Sequence, residues 1–192
     1  MSICRSLISG VVVAGALAAG GAAVASAAAS VDSVALHASD LPAGFKQTEH
    51  KAVSNADMAK VTGVSKAQFD QHGRITGLEV TFVHGTTGLF EIASNVYQYK
   101  TAGGATWDWQ KTLAHDASVA KAAPAPKIGD HSGGFAETQT NGTGKKKVVY
   151  VVYGIVVQKG VYDMTAGVIA VKGKATMNDA ARFARIMVSR AH

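Results

Sequence analysis

Lys147-Val148-Val149-Tyr150-Val151-Val152-Tyr153-Gly154-Ile155-Val156-Val157 is the stretch that decides the architecture. Val, Ile and Tyr fit a pleated, packed surface. A run of them with almost no polar alternation predicts a central strand covered on both faces. It is too short for the roughly 20 apolar residues that a membrane helix needs. Gly154 breaks the run, which predicts a bulge or a close backbone approach at that point. On its upstream side, Gly134–Thr140 reads as a strand and Asn141-Gly142 as the strongest short hairpin signal. On its downstream side, Lys159-Gly160 turns the chain into Val161–Val171, another strand. Thr176 then caps a helix through Arg190, with Asp179 three residues on completing an imperfect capping box.

The first half carries the same theme. Leu41-Pro42-Ala43-Gly44 is a turn, and Phe45–Val53 a strand. Ser54-Asn55 caps a short helix over Ala56–Val61, Ser65 caps another through Gln71, and Gly73 ends it. Leu78, Val80 and Phe82 alternate with Glu79 and Thr81, the pattern of a half-buried strand. Gly85-Thr86-Thr87-Gly88 turns it back into a strand over Leu89–Tyr99, and a helix follows over Thr101–Ala114. Ser118–Lys127, rich in Ala, Pro and Lys, reads as an exposed linker. Two strand-hairpin-strand-helix halves, without a residue-level repeat, predict an α+β fold: an antiparallel sheet with helices packed on it.

The N-terminus reads as an address. Met1–Arg5 is short and basic, Leu7–Val24 is apolar and uncharged, and Ala25-Ser26-Ala27 is a small-x-small cleavage site. Residues 1–27 therefore form a secretory signal peptide, 28–40 a flexible lead-in with a short helix near Val31–His37, and 41–192 a single α+β domain. Cleavage after Ala27 removes Cys4, the only cysteine, so no disulfide, thiol nucleophile or thiolate metal site is expected afterwards. No membrane span is expected after cleavage. The protein is expected to be secreted, either extracellular or in the cell envelope.

Candidate chemistry is sparse among 192 residues. The histidines show no i,i+4 pair and no His-Glu-x-x-His, so a zinc-presenting helix is missing. Gly129-Asp130-His131-Ser132-Gly133-Gly134 is similar to a serine-protease nucleophile segment, but the inserted histidine displaces the serine from its glycines. Ser118-Val119-Ala120-Lys121 fits Ser-x-x-Lys without its companion motifs. No catalytic residue, metal site or cofactor is assigned. Asn141-Gly142-Thr143 is a glycosylation sequon that matters only in a host that glycosylates.

Binding residues are easier to name. Lys145, Lys146 and Lys147 follow a turn, and Lys172 and Lys174 follow the last strand; together they would form a cationic edge if the hairpins bring them to one end of the sheet. The bland alternative is lysines that block strand-edge pairing. Trp107 and Trp109 are about 200° apart on one helix. Trp109 shares its face with Ala102, Ala105 and Leu113 and is expected in the core. Trp107 shares a more polar face with Gln110 and Lys111 and is expected exposed or half-exposed, as a contact for a partner or a sugar ring.

Asp40-Leu41-Pro42-Ala43-Gly44-Phe45, Gly73-Arg74-Ile75-Thr76-Gly77-Leu78-Glu79 and Ile128-Gly129-Asp130 resemble recurring blocks of an uncharacterised family of secreted bacterial proteins. The element order also resembles the PsbP-like sandwich of mycobacterial LpqN-type lipoproteins, although the lipid-anchoring cysteine is absent. These resemblances imply a fold and carry no catalytic residues. The sequence thus points to an exported, non-enzymatic binding module. Its binding residues would be Trp107, Lys111, Lys145, Lys146 and Lys147, and its partner an anionic envelope polymer or another envelope protein. Nucleic acid is not expected, because basic and aromatic residues are not interleaved. Two other readings stay open: a small hydrolase or metal-dependent enzyme built from His84, His115, Asp116 and His131, and a carrier of an apolar ligand between sheet and helices. N-terminal sequencing of the secreted protein should begin near Ala28; full-length chain in washed membranes would contradict the signal-peptide assignment.

Overall fold

The computed structural model describes residues 29–85, 88–141 and 147–192, with the backbone alone at 116–119. Thirteen elements are formed, of which seven are strands. The strands are β1 (Lys46–Ala52), β2 (Arg74–Val83), β3 (Leu89–Tyr99), β4 (Lys121–Ala123), β5 (His131–Asn141), β6 (Val148–Lys159) and β7 (Tyr162–Val171). They make one sheet in the order β1-β2-β3-β7-β6-β5-β4, antiparallel throughout. The helices are α1 (Val31–Val34), α2 (Asn55–Thr62), α3 (Lys66–Gln71), α4 (Ala102–Val119) and α5 (Met177–Val188), with a 3-10 turn at Ala38–Asp40. The α+β sheet with packed helices is therefore the observed fold. Among the described residues, no helix is long and apolar enough to cross a membrane.

Period two explains the layering. Leu78, Val80, Phe82, Ile92, Val96, Ile155, Val157, Met164, Ala166 and Val168 share one face and form the main core with α1 and α5. The helix α5 presents Ala180, Ala181, Phe183, Ala184 and Met187 to this face, as its wheel requires. Thr176 and Asp179 close its first turn reciprocally, with Thr176 N–H donating to Asp179 Oδ2 at 2.7 Å. Ser54 with Asp57, and Ser65 with Gln68, do the same for α2 and α3. The opposite face of the sheet is covered by α2, α3 and α4, through a cluster around Phe69, Tyr97 and Tyr99 and another around Phe135, Val152, Val156 and Ile169.

Three expectations need correction. The stretch 28–40 is no loose lead-in where it is described: Val34, Ala35 and Leu36 are buried in the main core, and Leu36 N–H donates to Ser94 Oγ on β3. Ser118–Lys127 is no simple linker either. The helix α4 runs on to Val119, and Lys121–Ala123 adds an edge strand to β5. The reason is reach: β3 and β4 are separated by four strand spacings, about 19 Å. An 18-residue helix covers about 27 Å. At Gly154 the ladder with β5 and β7 stays in register, so there is no bulge. A side chain makes the close approach instead, because a Cβ at Gly154 would lie 2.0 Å from the Phe135 ring. The signal segment and the Asn141-Gly142 turn beyond Asn141 lie outside the described residues.

Phe183 is fully buried, whereas Arg185 is exposed. Phe183→Ala should cost about 3 kcal/mol or more, and Arg185→Ala less than about 0.5 kcal/mol. Equal melting temperatures for the two variants would contradict the placement of α5.

Candidate functional site

The face beneath α4 holds most of the buried polar side chains among the described residues. Ala105, Asp108, Thr112 and His115 follow one another at spacings of three and four, which aligns them in one stripe toward the sheet. Opposite them, alternate residues of β3 and β7 bring Tyr97 and Asn95 beside Asp163 and Thr165. Asp108 and Asp163 are buried side by side, and the Thr112 hydroxyl reaches Asp163 Oδ2 at 3.5 Å. Burial pushes the Asp108 carboxyl above the usual range, against the pull of Tyr99, Arg74 and Asp163.

Arg74 is the cation of this layer. Its Nη1 donates to Val53 O at 3.0 Å and to Asn55 Oδ1 at 2.7 Å. Its Nε and Nη2 have no hydrogen bond among the described residues. The guanidinium instead lies 4.8 Å from the Tyr97 ring centre and 5.8 Å from that of Phe69. Gly77 makes the stack possible, since a Cβ there would sit 2.3 Å from Arg74 Nη2 and 2.4 Å from the Tyr97 ring. Tyr97 O–H donates to Glu79 at 3.2 Å, and burial raises the Glu79 carboxyl pKa. Burial also raises the Tyr97 and Tyr99 hydroxyls, so both stay neutral. This layer adds hydrogen bonds and charge to the apolar contacts that Ala105, Trp107 and Trp109 make on the same face.

The two tryptophans flank the stripe, one on each side. Trp107 is half-buried, stacked on His72 at 3.9 Å and 9° and met edge-on by Phe69 at 5.7 Å. Trp109 is half-buried too, stacked on His131 at 5.1 Å, with its N–H donating to Val156 O at 3.4 Å. Trp107 is thus half-exposed, within the expectation, whereas the expected core placement of Trp109 does not hold, because the sheet-facing stripe lies between the two tryptophans. Burial, and then the charge of Lys111, lower the His72 pKa, so Lys111 belongs to the Trp107 neighbourhood.

Lysines gather at the opposite end of the sheet. Lys172 N–H donates to Val149 O at 2.9 Å, which brings the chain after β7 alongside the start of β6, where Lys147 stands. Lys174 follows in the same turn, and Lys46 starts β1 opposite Val83 at that end. All four are exposed, and none forms an ion pair among the described residues. Asp179, near the same end, is taken up by the Thr176 cap. Lys145 and Lys146 lie outside the described residues. Lys147 is separated from Trp107 and Lys111 by most of the length of β6, so the named binding residues fall into two groups.

The histidines do not converge. His84 leaves β2 at the lysine end and packs on Phe45 at 5.3 Å, His115 is buried on α4, and His131 sits at the far end of β5. The Asp116 side chain is outside the described residues, and among those described no group of three His, Cys, Asp or Glu could hold a metal. Ser132 serves the loop: its hydroxyl donates to Pro126 O at 3.0 Å and accepts from Ile128 N–H at 3.2 Å. Asp130 accepts from Gly160 N–H at 2.8 Å and from Lys159 at 3.0 Å.

No family model and no curated protein sequence matches the chain. Among solved structures it is similar to the extracellular domain of PknH from Mycobacterium tuberculosis. That similarity has a TM-score of 0.51 and 9% identity over 83% of this chain and 93% of that one. The likeness concerns the fold alone: a bacterial extracellular domain uses a similar arrangement of sheet and helices.

The raised Asp108 carboxyl has a measurable consequence. A carboxyl with a raised folded pKa binds its proton more tightly folded than unfolded, so its contribution to stability falls as pH rises above about 4. Asp108→Asn removes that dependence. Its melting temperature relative to the unaltered protein should therefore climb between about pH 4 and pH 7. A difference that stays flat over this window would refute the assignment.

Proposed function

We propose that this protein is an exported, non-enzymatic binding module that docks on an anionic polymer of the cell envelope through its lysine end. The observation that carries this reading is the convergence of Lys147, Lys172 and Lys174 as exposed cations with no ion pair among the described residues. Elsewhere Lys60, Lys66 and Lys159 each hold an aspartate. The edge-blocking explanation fits poorly, because β6 and β7 are interior strands and their lysines sit beyond the strand ends. Lys145 and Lys146 add two further charges to the segment that joins β5 to β6. Like charges left together in this way repel one another, and a polyanion relieves that repulsion. The resemblance to secreted bacterial proteins and the fold of an extracellular domain support export.

Binding to soluble polyglycerol phosphate, followed by fluorescence anisotropy, tests the reading. At about 20 mM salt the protein should bind. It should release as ionic strength approaches about 0.3 M, where screening acts over a few ångströms. The Lys172→Glu, Lys174→Glu double variant should bind at least about tenfold more weakly, whereas Lys100→Glu with Lys127→Glu, at the other end, should change little. Equal binding by both double variants, or binding that ignores salt, would overturn the proposal.

A further inference from the structure

The two edges of the sheet are unlike each other. At one edge, β1 is blunted by a register shift between Gln47 and Glu49 and by the charges of Lys46, Glu49 and Lys51. At the other, β4 covers β5 only at Gly134, Phe135 and Ala136. From Glu137 to Asn141, β5 is paired on its inner side with β6 and has no strand on its outer side among the described residues. That free stretch is about 17 Å long. Its side chains are Glu137, Thr138, Gln139, Thr140 and Asn141, with no lysine, proline or bulge to turn away a further strand.

A half-open groove of about 570 Å³ lies beside this edge, where β4 ends, lined by Ala136, Glu137, Thr138, Val151 and Tyr153 among others. Ala136 and Thr138 pair with Tyr153 and Val151, so these four share one face and give the groove a largely apolar floor that carries the Thr138 and Tyr153 hydroxyls, with Lys121, the partner of Ala136, at its β4 side. Glu137 points to the other face. Its Oε1 accepts from Gln139 Nε2 at 3.1 Å, while its buried Oε2 has no hydrogen bond among the described residues. A buried carboxylate oxygen left unpaired is costly, and a cationic donor is the group that satisfies it best.

We propose that the outer edge of β5 from Glu137 to Asn141 is a strand-addition site for an extended segment of a partner protein that carries a basic residue between two apolar ones. The main chain supplies ladder hydrogen bonds, the base meets Glu137, and the apolar neighbours, one residue either side, fall into the groove by the alternation of a strand. The same five residues of a second copy contain no base, so self-pairing along this stretch leaves Glu137 unsatisfied.

The test uses the whole exported chain and two labelled peptides, Thr-Val-Thr-Val-Lys-Val-Thr and the same peptide with Glu in place of Lys. The lysine peptide should bind and slow amide hydrogen exchange at Thr138–Asn141. The glutamate peptide should bind about tenfold more weakly or worse, since a charge-assisted contact is replaced by a like-charge one. In Glu137→Gln, which keeps the shape of the side chain, the two peptides should come within about twofold of each other. Equal affinity of both peptides for the unaltered protein would overturn the proposal. So would binding without protection of those amides, or sedimentation as a dimer through this edge.

Discussion

Everything in this molecule hangs on the pairing of β3 with β7. Each half of the chain makes an antiparallel meander on its own, β1-β2-β3 and β4-β5-β6-β7, and the two become one sheet only where Ile92 faces Val168 and Val96 faces Met164. These four side chains are essentially inaccessible and sit under α1 and α5. The pairing joins residues about seventy apart in sequence, so the loop entropy it must overcome is large. It is repaid by burial on both faces at once. Ser94, in the middle of β3, also anchors the chain before β1 by accepting from Leu36 N–H. The N-terminal segment, the two meanders and α5 therefore share one core.

That pairing also explains α4. Because β7 occupies the place beside β3, the chain leaving β3 must pass over β7, β6 and β5 to begin β4 at the far edge. The crossing helix lies on a face that carries Asp163, Thr165, Gln158, Asn95 and Tyr97, and it answers with Asp108, Thr112 and His115. The two sides of the sheet are thus held differently. Apolar area fixes α5, whereas beneath α4 the apolar clusters around Ala105, Trp107 and Trp109 share the interface with the buried carboxyls of Asp108 and Asp163 and with Arg74 stacked on Tyr97 and Phe69. Carboxylates at the surface act with the opposite sign. The Ser54 and Lys60 side chains hold Asp57 down to about 2, so its contribution is present above the unfolded value near 4 and lost as the pH falls toward 2.

Local pattern revealed most of the elements. The Val/Tyr run at Lys147–Val157, the alternation at Leu78–Phe82 and the capping residues Ser54, Ser65 and Thr176 each act within a few residues, and the strands and helices they imply are present. What local pattern could not reveal was order within the sheet. The length of α4 follows from the distance to β4, and Ala-rich Ser118–Lys127 has no periodicity that records this distance. The half-buried state of Trp109 has the same origin: a helical wheel separates two flanks, but only the topology shows that a polar stripe lies between them. Asp108 and Asp163 stand 55 positions apart and carry no mutual spacing signal. A mid-helix aspartate between two tryptophans was the one clue that this helix face is not ordinary.

The two ends of the sheet differ in how fully they are used by the fold itself. At the end where β6 turns into β7, Asp130 binds Lys159 and Gly160, Tyr162 O–H donates to Ala29 O, and Ala29 N–H meets His192 O. Arg190 grips Asp40 there with two nitrogens, at 2.6 and 2.9 Å. Asp40, Asp130, Lys159 and Arg190 at that end are consumed internally. At the other end the lysines remain unmatched, and the free half of β5 runs toward them, since Asn141 pairs with Val148. Their fields do not cancel the carboxylate of Glu137. That residue pairs with Val152, five residues or about 17 Å along β6 from Lys147. The Debye length at physiological salt is about 8 Å, so an exposed lysine at that distance is largely screened. One end of the sheet can therefore attract a polyanion while the strand edge beside it, a few residues further in, accepts a base.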